Sequence, residues 1–235
     1  MKSYGVLSQF YNRLMTDCDY IKWSQYLFSQ LNGLKNGVDL ACGTGAITKL
    51  LVDNGYDCIG IDNSIEMLNI ARRNVNTKFV QGDMIDLTLP HKVDFITCVC
   101  DGVNYVKEKD IDGFFAKVSN NLALGGKFIF DISSEYKLRN ILGDNIFYED
   151  LDDLSYFWRN KLYTNKIKMD LIFFEKLADG NYLRRDETQV QYIYSVDSLV
   201  KRLTKIGFSV KTSANYGERL TVKATRVTFV CTKNN

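Results

Sequence analysis

Two aspartates and a pair of glycines carry most of the chemistry that can be read directly from this 235-residue chain. Val38-Asp39-Leu40 reads as a short strand running into Ala41-Cys42-Gly43-Thr44-Gly45, and a helical apolar pattern through Ile47, Leu50 and Leu51 follows. A glycine-rich turn between strand and helix lets a ligand approach the backbone closely, because glycine tolerates unusual φ and carries no Cβ. Asp62 stands at the tip of the next strand, Cys58-Ile59-Gly60-Ile61. From that position a carboxylate reaches ribose hydroxyls across the switch point of an open parallel sheet. A G-x-G turn alone is shared by many strand-to-helix connections. Joined to Asp62, it indicates a ligand containing adenosine.

These residues need alternating elements to position them. Ser64 is placed to cap a helix carrying Ile65, Leu68 and Ala71, with Glu66 in its first turn. Lys78 to Gln81 reads as a third strand, and Asp94 to Cys100 as a fourth, nearly continuous in apolar residues as a strand buried on both faces is. A helix through Phe114, Phe115, Val118 and Leu122, expected to end at Gly125-Gly126, leads to a fifth strand from Lys127 to Asp131. The alternation predicts an α/β fold with a Rossmann-like, mostly parallel seven-stranded sheet and helices on both faces. From Ile146 to Tyr194 the period changes to two, with hairpin turns at Thr164-Asn165 and Ala178-Asp179-Gly180-Asn181. That predicts a small antiparallel β-sheet inserted after strand five. Ser195 then caps a last helix through Leu199, Leu203 and Ile206, stopped by Gly207, and strands over Phe208 to Tyr216 and Thr225 to Thr232 close the chain. At the other end, residues 2–31 look helical and aromatic, with Asp19 as N-cap to Tyr20, Trp23, Leu27 and Leu31. The expected organisation is one domain: a helical flap over 1–36, a ligand-binding core over 37–134, an inserted lid over 146–194, and a return to the core sheet over 195–235.

Composition removes several classes of function. Net charge is +2 with acids and bases interspersed, and no run of Lys or Arg marks a nucleic-acid or membrane partner. The chain reads as soluble and cytoplasmic, with no segment of membrane-spanning character. Six cysteines and one histidine give no C-x-x-C pair, so buried free thiols are favoured over a metal site or disulfides. His91 lies in a polar turn, Leu89-Pro90-His91-Lys92.

Which adenosine ligand is indicated by two details. A dinucleotide fingerprint wants a third glycine where Thr48 stands. Asp39, just before the loop, suits a cationic ligand end such as an α-ammonium better than a pyrophosphate. Both favour S-adenosylmethionine over a nicotinamide cofactor. Asp39-Leu40-Ala41-Cys42-Gly43-Thr44-Gly45 resembles motif I of the class I methyltransferases. Gly60-Ile61-Asp62-Asn63-Ser64-Ile65-Glu66-Met67-Leu68, Gly82-Asp83-Met84 and Leu122-Ala123-Leu124-Gly125-Gly126-Lys127-Phe128 resemble the blocks that follow, in the family's order across residues 37–131. The resemblance implies that Asp62 holds the ribose diol, that Asp83 with Met84 holds adenine, and that Gly43 and Gly45 line the methionine part; Ala41, Asn63 and Met67 are expected among the donor-binding residues. Cys100, in the loop after strand four, is implied to lie beside the transferable methyl. No metal is expected.

On the acceptor side, Phe10-Tyr11-Asn12-Arg13-Leu14-Met15 resembles the opening of many bacterial small-molecule methyltransferases, with Asn12 where an Asp is usual. The antiparallel insertion resembles that of glycine N-methyltransferase and the amino-sugar N,N-dimethyltransferases, where it roofs the substrate pocket. The near-neutral charge balance and the aromatic insertion point to a small-molecule acceptor, and the resemblance implies an amine before an oxygen; by their positions in the flap and directly after strand four, Tyr11 and Asp101 are expected to face it. Tyr11 stands between core packing and capping of the site, and Asp101 between a loop turn and a substrate-facing acid. Tyr156, Trp158, Tyr192 and Tyr194 are read as sheet packing before a substrate cage. The loop Cys100-Asp101-Gly102-Val103-Asn104-Tyr105 lacks the N-P-P-Y-type block of nucleic-acid amino methyltransferases. A non-catalytic module that binds the same donor stays open, because methyl transfer demands no particular side chain.

Overall fold

The structure is a computed structural model that describes Gly5, Ser8 and residues 19–234. Asp19 caps α1 (Tyr20–Leu31) by accepting the Lys22 N–H, and Trp23, Leu27 and Leu31 form its buried stripe. Next come β1 (Asn36–Leu40), α2 (Ala46–Asp53), β2 (Asp57–Asp62), α3 (Ile65–Asn74), β3 (Phe79–Gln81), β4 (Val93–Cys98), α4 (Ile111–Asn121) and β5 (Leu122–Ser133). The chain then makes a π-helical turn, Lys137–Leu142, and four strands: β6 (Ile146–Asp150), β7 (Leu154–Leu162), β8 (Lys166–Lys176) and β9 (Tyr182–Tyr192). It closes with α5 (Val196–Lys205), β10 (Phe208–Ala214) and β11 (Arg226–Lys233).

Seven strands form the main sheet in the order β10-β11-β5-β4-β1-β2-β3. The pairs from β3 through β5 are parallel, and only β11 runs against its neighbours. The order reverses at β1, which lies between β2 and β4. Side chains alternate between the two faces of this sheet, as strand geometry requires. Val38, Ile96, Phe128, Phe130 and Phe229 pack with Phe114, Phe115 and Val118 of α4 and Leu199 and Leu203 of α5. Phe95, Ile129 and Val230 face the other way, onto α1 and α2. Phe128 and Phe130 of β5 and Phe229 of the adjacent β11 stack in a row, with ring centroids 4.7 and 4.5 Å apart.

The expected end of α4 needs correction. The helix stops at Asn121, not at Gly125-Gly126, and Leu122 already pairs with Val93. The ladder then jumps to Phe95↔Lys127, and Gly125 sits in the irregularity at φ +74. The glycines serve a bulge near the start of β5.

The second sheet is separate and antiparallel, in the order β6-β7-β8-β9. Ile167, Met169, Leu171 and Phe173 alternate along β8 and are buried against Leu138 and Leu142 of the π-helical turn, with Trp158 and Phe147 beside them. The two anticipated hairpin turns are present: the Tyr163 N–H bonds to the Lys166 carbonyl, and the Leu177 N–H to that of Asn181. No helix among the described residues is long and apolar enough to cross a membrane. His91 is exposed, and among the described residues Cys42, Cys58, Cys98, Cys100 and Cys231 are not joined by disulfides.

Candidate functional site

A cavity of about 610 Å³ opens at the C-terminal ends of β1, β2 and β4, where the strand order reverses. Ligands of open α/β sheets bind in that crevice because the loops on its two sides diverge.

Its floor is Asp39, only 2% exposed. Thr48 Oγ1 donates to one carboxylate oxygen at 2.7 Å and Thr97 Oγ1 to the other at 2.8 Å. Thr97 is the register partner of Asp39 on β4, and Thr48 reaches it from the first turn of α2. Burial pushes the Asp39 carboxyl up to about 6, with the two hydroxyl donors pulling the other way. Thr48, the residue standing where a dinucleotide site would carry glycine, therefore has a positive task. Sequence reading marked it only as a departure from a pattern, and nothing in the sequence pointed to Thr97.

The loop after β1 carries three left-handed residues: Ala41 at φ +52, Gly43 at +55 and Gly45 at +78. The Gly43 N–H donates to Asp62 Oδ2 at 2.8 Å, and the Ser64 N–H donates to Asp62 Oδ1 at 2.8 Å. Asp62 thus ties the glycine loop to the start of α3, and burial raises its carboxyl above the ordinary range. Ala41 and Gly43 line the cavity, and a Cβ on Gly43 would meet no protein atom within 4 Å. Gly45 has a different reason for being glycine. It is not on the cavity wall, and a Cβ there would stand 3.0 Å from Ala71 Cβ and 3.2 Å from the Phe79 ring. Its task is to let the start of α2 pack onto α3 and β3.

Asn63 and buried Met67 line the neighbouring wall. Asp83 and Met84 line it beyond β3, where Asp83 caps a short 3₁₀ turn by accepting the Ile85 N–H at 3.1 Å. Cys100, Gly102 and Tyr105 close the opposite side from the loop after β4. Thr188, Val190 and Tyr192 reach the cavity from β9 of the second sheet, and Tyr20 from α1.

Not every expected residue is found on the wall. Asp101 is absent from it: its carboxylate accepts from Ser133 Oγ at 2.9 Å and from Gln191 Nε2 at 3.1 Å. The cause is its own backbone, left-handed at φ +58, which turns the side chain towards β5 and β9. Tyr11 lies outside the described residues. Of the four aromatics singled out, only Tyr192 lines the cavity. Tyr194 is buried with its hydroxyl donating to the Val106 carbonyl at 2.6 Å. Trp158 packs in the second sheet, as does Tyr156, whose hydroxyl donates to Glu149 at 2.9 Å.

The donor set fits an adenosine ligand with a cationic amino-acid end. Two carboxylates stand at the tips of adjacent parallel strands, apolar Met67 and Met84 flank them, and the backbone at Gly43 is left uncovered. The volume is that of an ordinary small-molecule site.

Comparison with known proteins agrees. The family described as Methyltransferase domain matches residues 38–126. A protein of Geobacillus sp. (strain WCH70) named as a methyltransferase is 30% identical over 221 residues, covering 88% of this chain and 90% of its own. The crystal structure of an S-adenosylmethionine-dependent methyltransferase from Clostridium acetobutylicum ATCC 824 matches with a TM-score of 0.90 at 30% identity, over 100% of both chains. The sugar N-methyltransferase KedS8 from Streptoalloteichus sp. matches with a TM-score of 0.82 over 100% of this chain and 97% of its own, and at 19% identity that likeness is one of fold. With Asp39, Asp62 and the Gly43 loop converging on one cavity, and relatives matching over nearly the whole length, the chain belongs to the S-adenosylmethionine-dependent methyltransferases.

Proposed function

We propose that this enzyme transfers the donor's methyl group to a small-molecule acceptor, with an amine nitrogen as the preferred site. The observation that carries the reading is the roof. Thr188, Val190 and Tyr192 of a separate sheet stand on the wall of the donor cavity, whose volume of about 610 Å³ suits a compact acceptor beside the donor. A net charge of +2 supports the same reading against a polyanionic acceptor, and a cytoplasmic location goes with it. The preference for nitrogen draws on KedS8, a sugar N-methyltransferase matching this chain along its full length, lid included.

In this reading Asp62 accepts hydrogen bonds from the ribose diol, Asp83 and Met84 hold adenine, and Asp39 faces the α-ammonium. Asn63 and Met67 flank the ribose, Ala41, Gly43 and Gly45 shape the loop around the methionine part, and Cys100 stands beside the methyl. When bound, the donor supplies a methyl group already activated on a sulfonium. What the chain must add is alignment for an in-line displacement and exclusion of water. The S–CH₃ bond breaks as the N–CH₃ bond forms, S-adenosylhomocysteine departs, and the proton of the new ammonium passes to water or buffer. No metal is called for. Tyr11 is assigned to the acceptor side of the cavity. Asp101 is assigned to holding the loop, since its carboxylate is engaged by Ser133 and Gln191.

Incubating the pure protein with metabolite extract and isotopically labelled S-adenosylmethionine, then identifying labelled products by mass, tests the proposal. A labelled small amine supports it. Label in protein or nucleic acid overturns the acceptor class. Donor binding without label in any fraction favours the non-catalytic module.

A further inference from the structure

Cys100 and Asp101 are consecutive residues in left-handed backbone, at φ +63 and +58, although neither is glycine. Such a conformation persists only where its surroundings hold it. Asp131, wholly buried on β5, supplies the hold. Its Oδ1 accepts the Cys100 N–H at 2.6 Å and its Oδ2 the Asp101 N–H at 3.2 Å. Successive N–H groups converging on one anion form an anion-binding nest, and here the anion is a side chain of the core sheet. Arg226, at the start of β11, forms an ion pair with Asp131, without which a buried carboxylate would be costly to keep ionised.

From the same turn the contacts run on to the lid. The Asp101 carboxylate accepts from Ser133 Oγ and from Gln191 Nε2 on β9. Asn104, wholly buried, accepts the Ser133 N–H at 2.9 Å and donates to the Tyr192 carbonyl, also on β9, at 2.9 Å. The turn that places Cys100 on the cavity wall and the strand that places Thr188, Val190 and Tyr192 there are therefore joined by one hydrogen-bonded network at the end of β5.

We propose that Asp131 is a positioning residue for methyl transfer, holding the Cys100–Asp101 turn against the cavity, and that Asp101 with Gln191 carries that placement to β9 of the lid. The inference rests on the donor cavity and is independent of which acceptor is methylated.

The test is amide hydrogen exchange on the full chain, with S-adenosylhomocysteine as probe. In the wild type, saturating probe slows exchange over 99–104 and 188–192 together. Gln191→Leu keeps the slowing over 99–104 and diminishes it over 188–192, where the Asn104 bond to the Tyr192 carbonyl remains. Gln191→Glu brings a second carboxyl against Asp101, close to Asp131 and Arg226. The lid slowing then becomes pH-dependent, kept where the two carboxyls share a proton and lost where both ionise. A side chain that merely filled space would not impose that profile. Asp131→Asn speeds exchange at Cys100 and Asp101 by about tenfold, the scale of losing charge-assisted hydrogen bonds; should that variant not fold, the two Gln191 variants decide. Full probe-dependent slowing over 188–192 in Gln191→Leu overturns the proposal, as does a folded Asp131→Asn with unchanged exchange at Cys100 and Asp101. A wild type in which the probe binds by calorimetry yet slows neither segment also overturns it, whereas a probe that does not bind at all removes the donor assignment beneath it.

Discussion

Asp39→Asn should make the protein more stable and a worse binder, and the pH dependence of both effects is fixed by one carboxyl. Burial holds that carboxyl at about 6 against an ordinary 3.8. Between about pH 4 and pH 6 the folded state keeps a proton that the unfolded state has released, so stability falls as pH rises through that window and is flat above it. Once both states are ionised, the folded state is less stable by about 3 kcal/mol than it would be with an unperturbed acid. Asparagine has nearly the same shape and never ionises. Each threonine hydroxyl can donate or accept, so Thr48 and Thr97 can satisfy both ends of the amide. The variant should match the wild type near pH 4 and exceed it above pH 6 by up to about 3 kcal/mol, at about 2–4 °C in Tm per kcal/mol for a chain of this size. Binding should move the other way. An α-ammonium facing Asp39 loses its charged partner, so affinity for S-adenosylhomocysteine should drop by about 1.5–3 kcal/mol, roughly tenfold to hundredfold. Wild-type affinity should rise with pH through about 6 as Asp39 ionises, and the variant should be flat there. Urea denaturation and calorimetry across pH 4.5–8 measure both. Stability curves that run parallel for the two proteins, or equal affinities at pH 8, would refute the reasoning.

Asp62→Ala should weaken S-adenosylhomocysteine binding by about 1–3 kcal/mol in calorimetry, because the carboxylate also anchors the Gly43 and Ser64 N–H groups and the loop loosens when it goes. Gly45→Ala should lower stability by about 1–3 kcal/mol in denaturant titration, through left-handed strain and crowding on Ala71 and Phe79. Gly43→Ala, with open space around its Cβ, should cost less stability than Gly45→Ala and more donor affinity, and the reverse ranking would show that the two glycines have been assigned wrongly. Phe173→Ala removes a wholly buried ring from the core of the second sheet, at about 3–5 kcal/mol locally. Limited proteolysis within 146–194 should accelerate while S-adenosylhomocysteine still binds.

Periodicity alone determined the architecture of this chain. The loss of the helical period after Ile146, and the alternation that becomes regular along β8, mark where the main sheet gives way to the second, because a half-buried strand alternates and an amphipathic helix does not. Local chemistry determined the caps at Asp19, Ser64 and Ser195, where a side-chain oxygen bonds an N–H three residues on. The glycine loop and Asp62 were equally legible, since each acts through neighbours fixed by strand order. Tertiary structure decided whatever depends on pairs distant in sequence. Thr97 reaches Asp39 only because β4 lies beside β1 in that register. Asp131 holds Cys100 across 31 residues, and Gln191 meets Asp101 across 90. The sequence placed Asp101 in a loop after a strand, with nothing to show that its φ would be positive. That backbone angle turns its carboxylate from the cavity to Ser133 of β5 and Gln191 of β9, because where a side chain points follows from φ and from whichever distant groups are there to receive it.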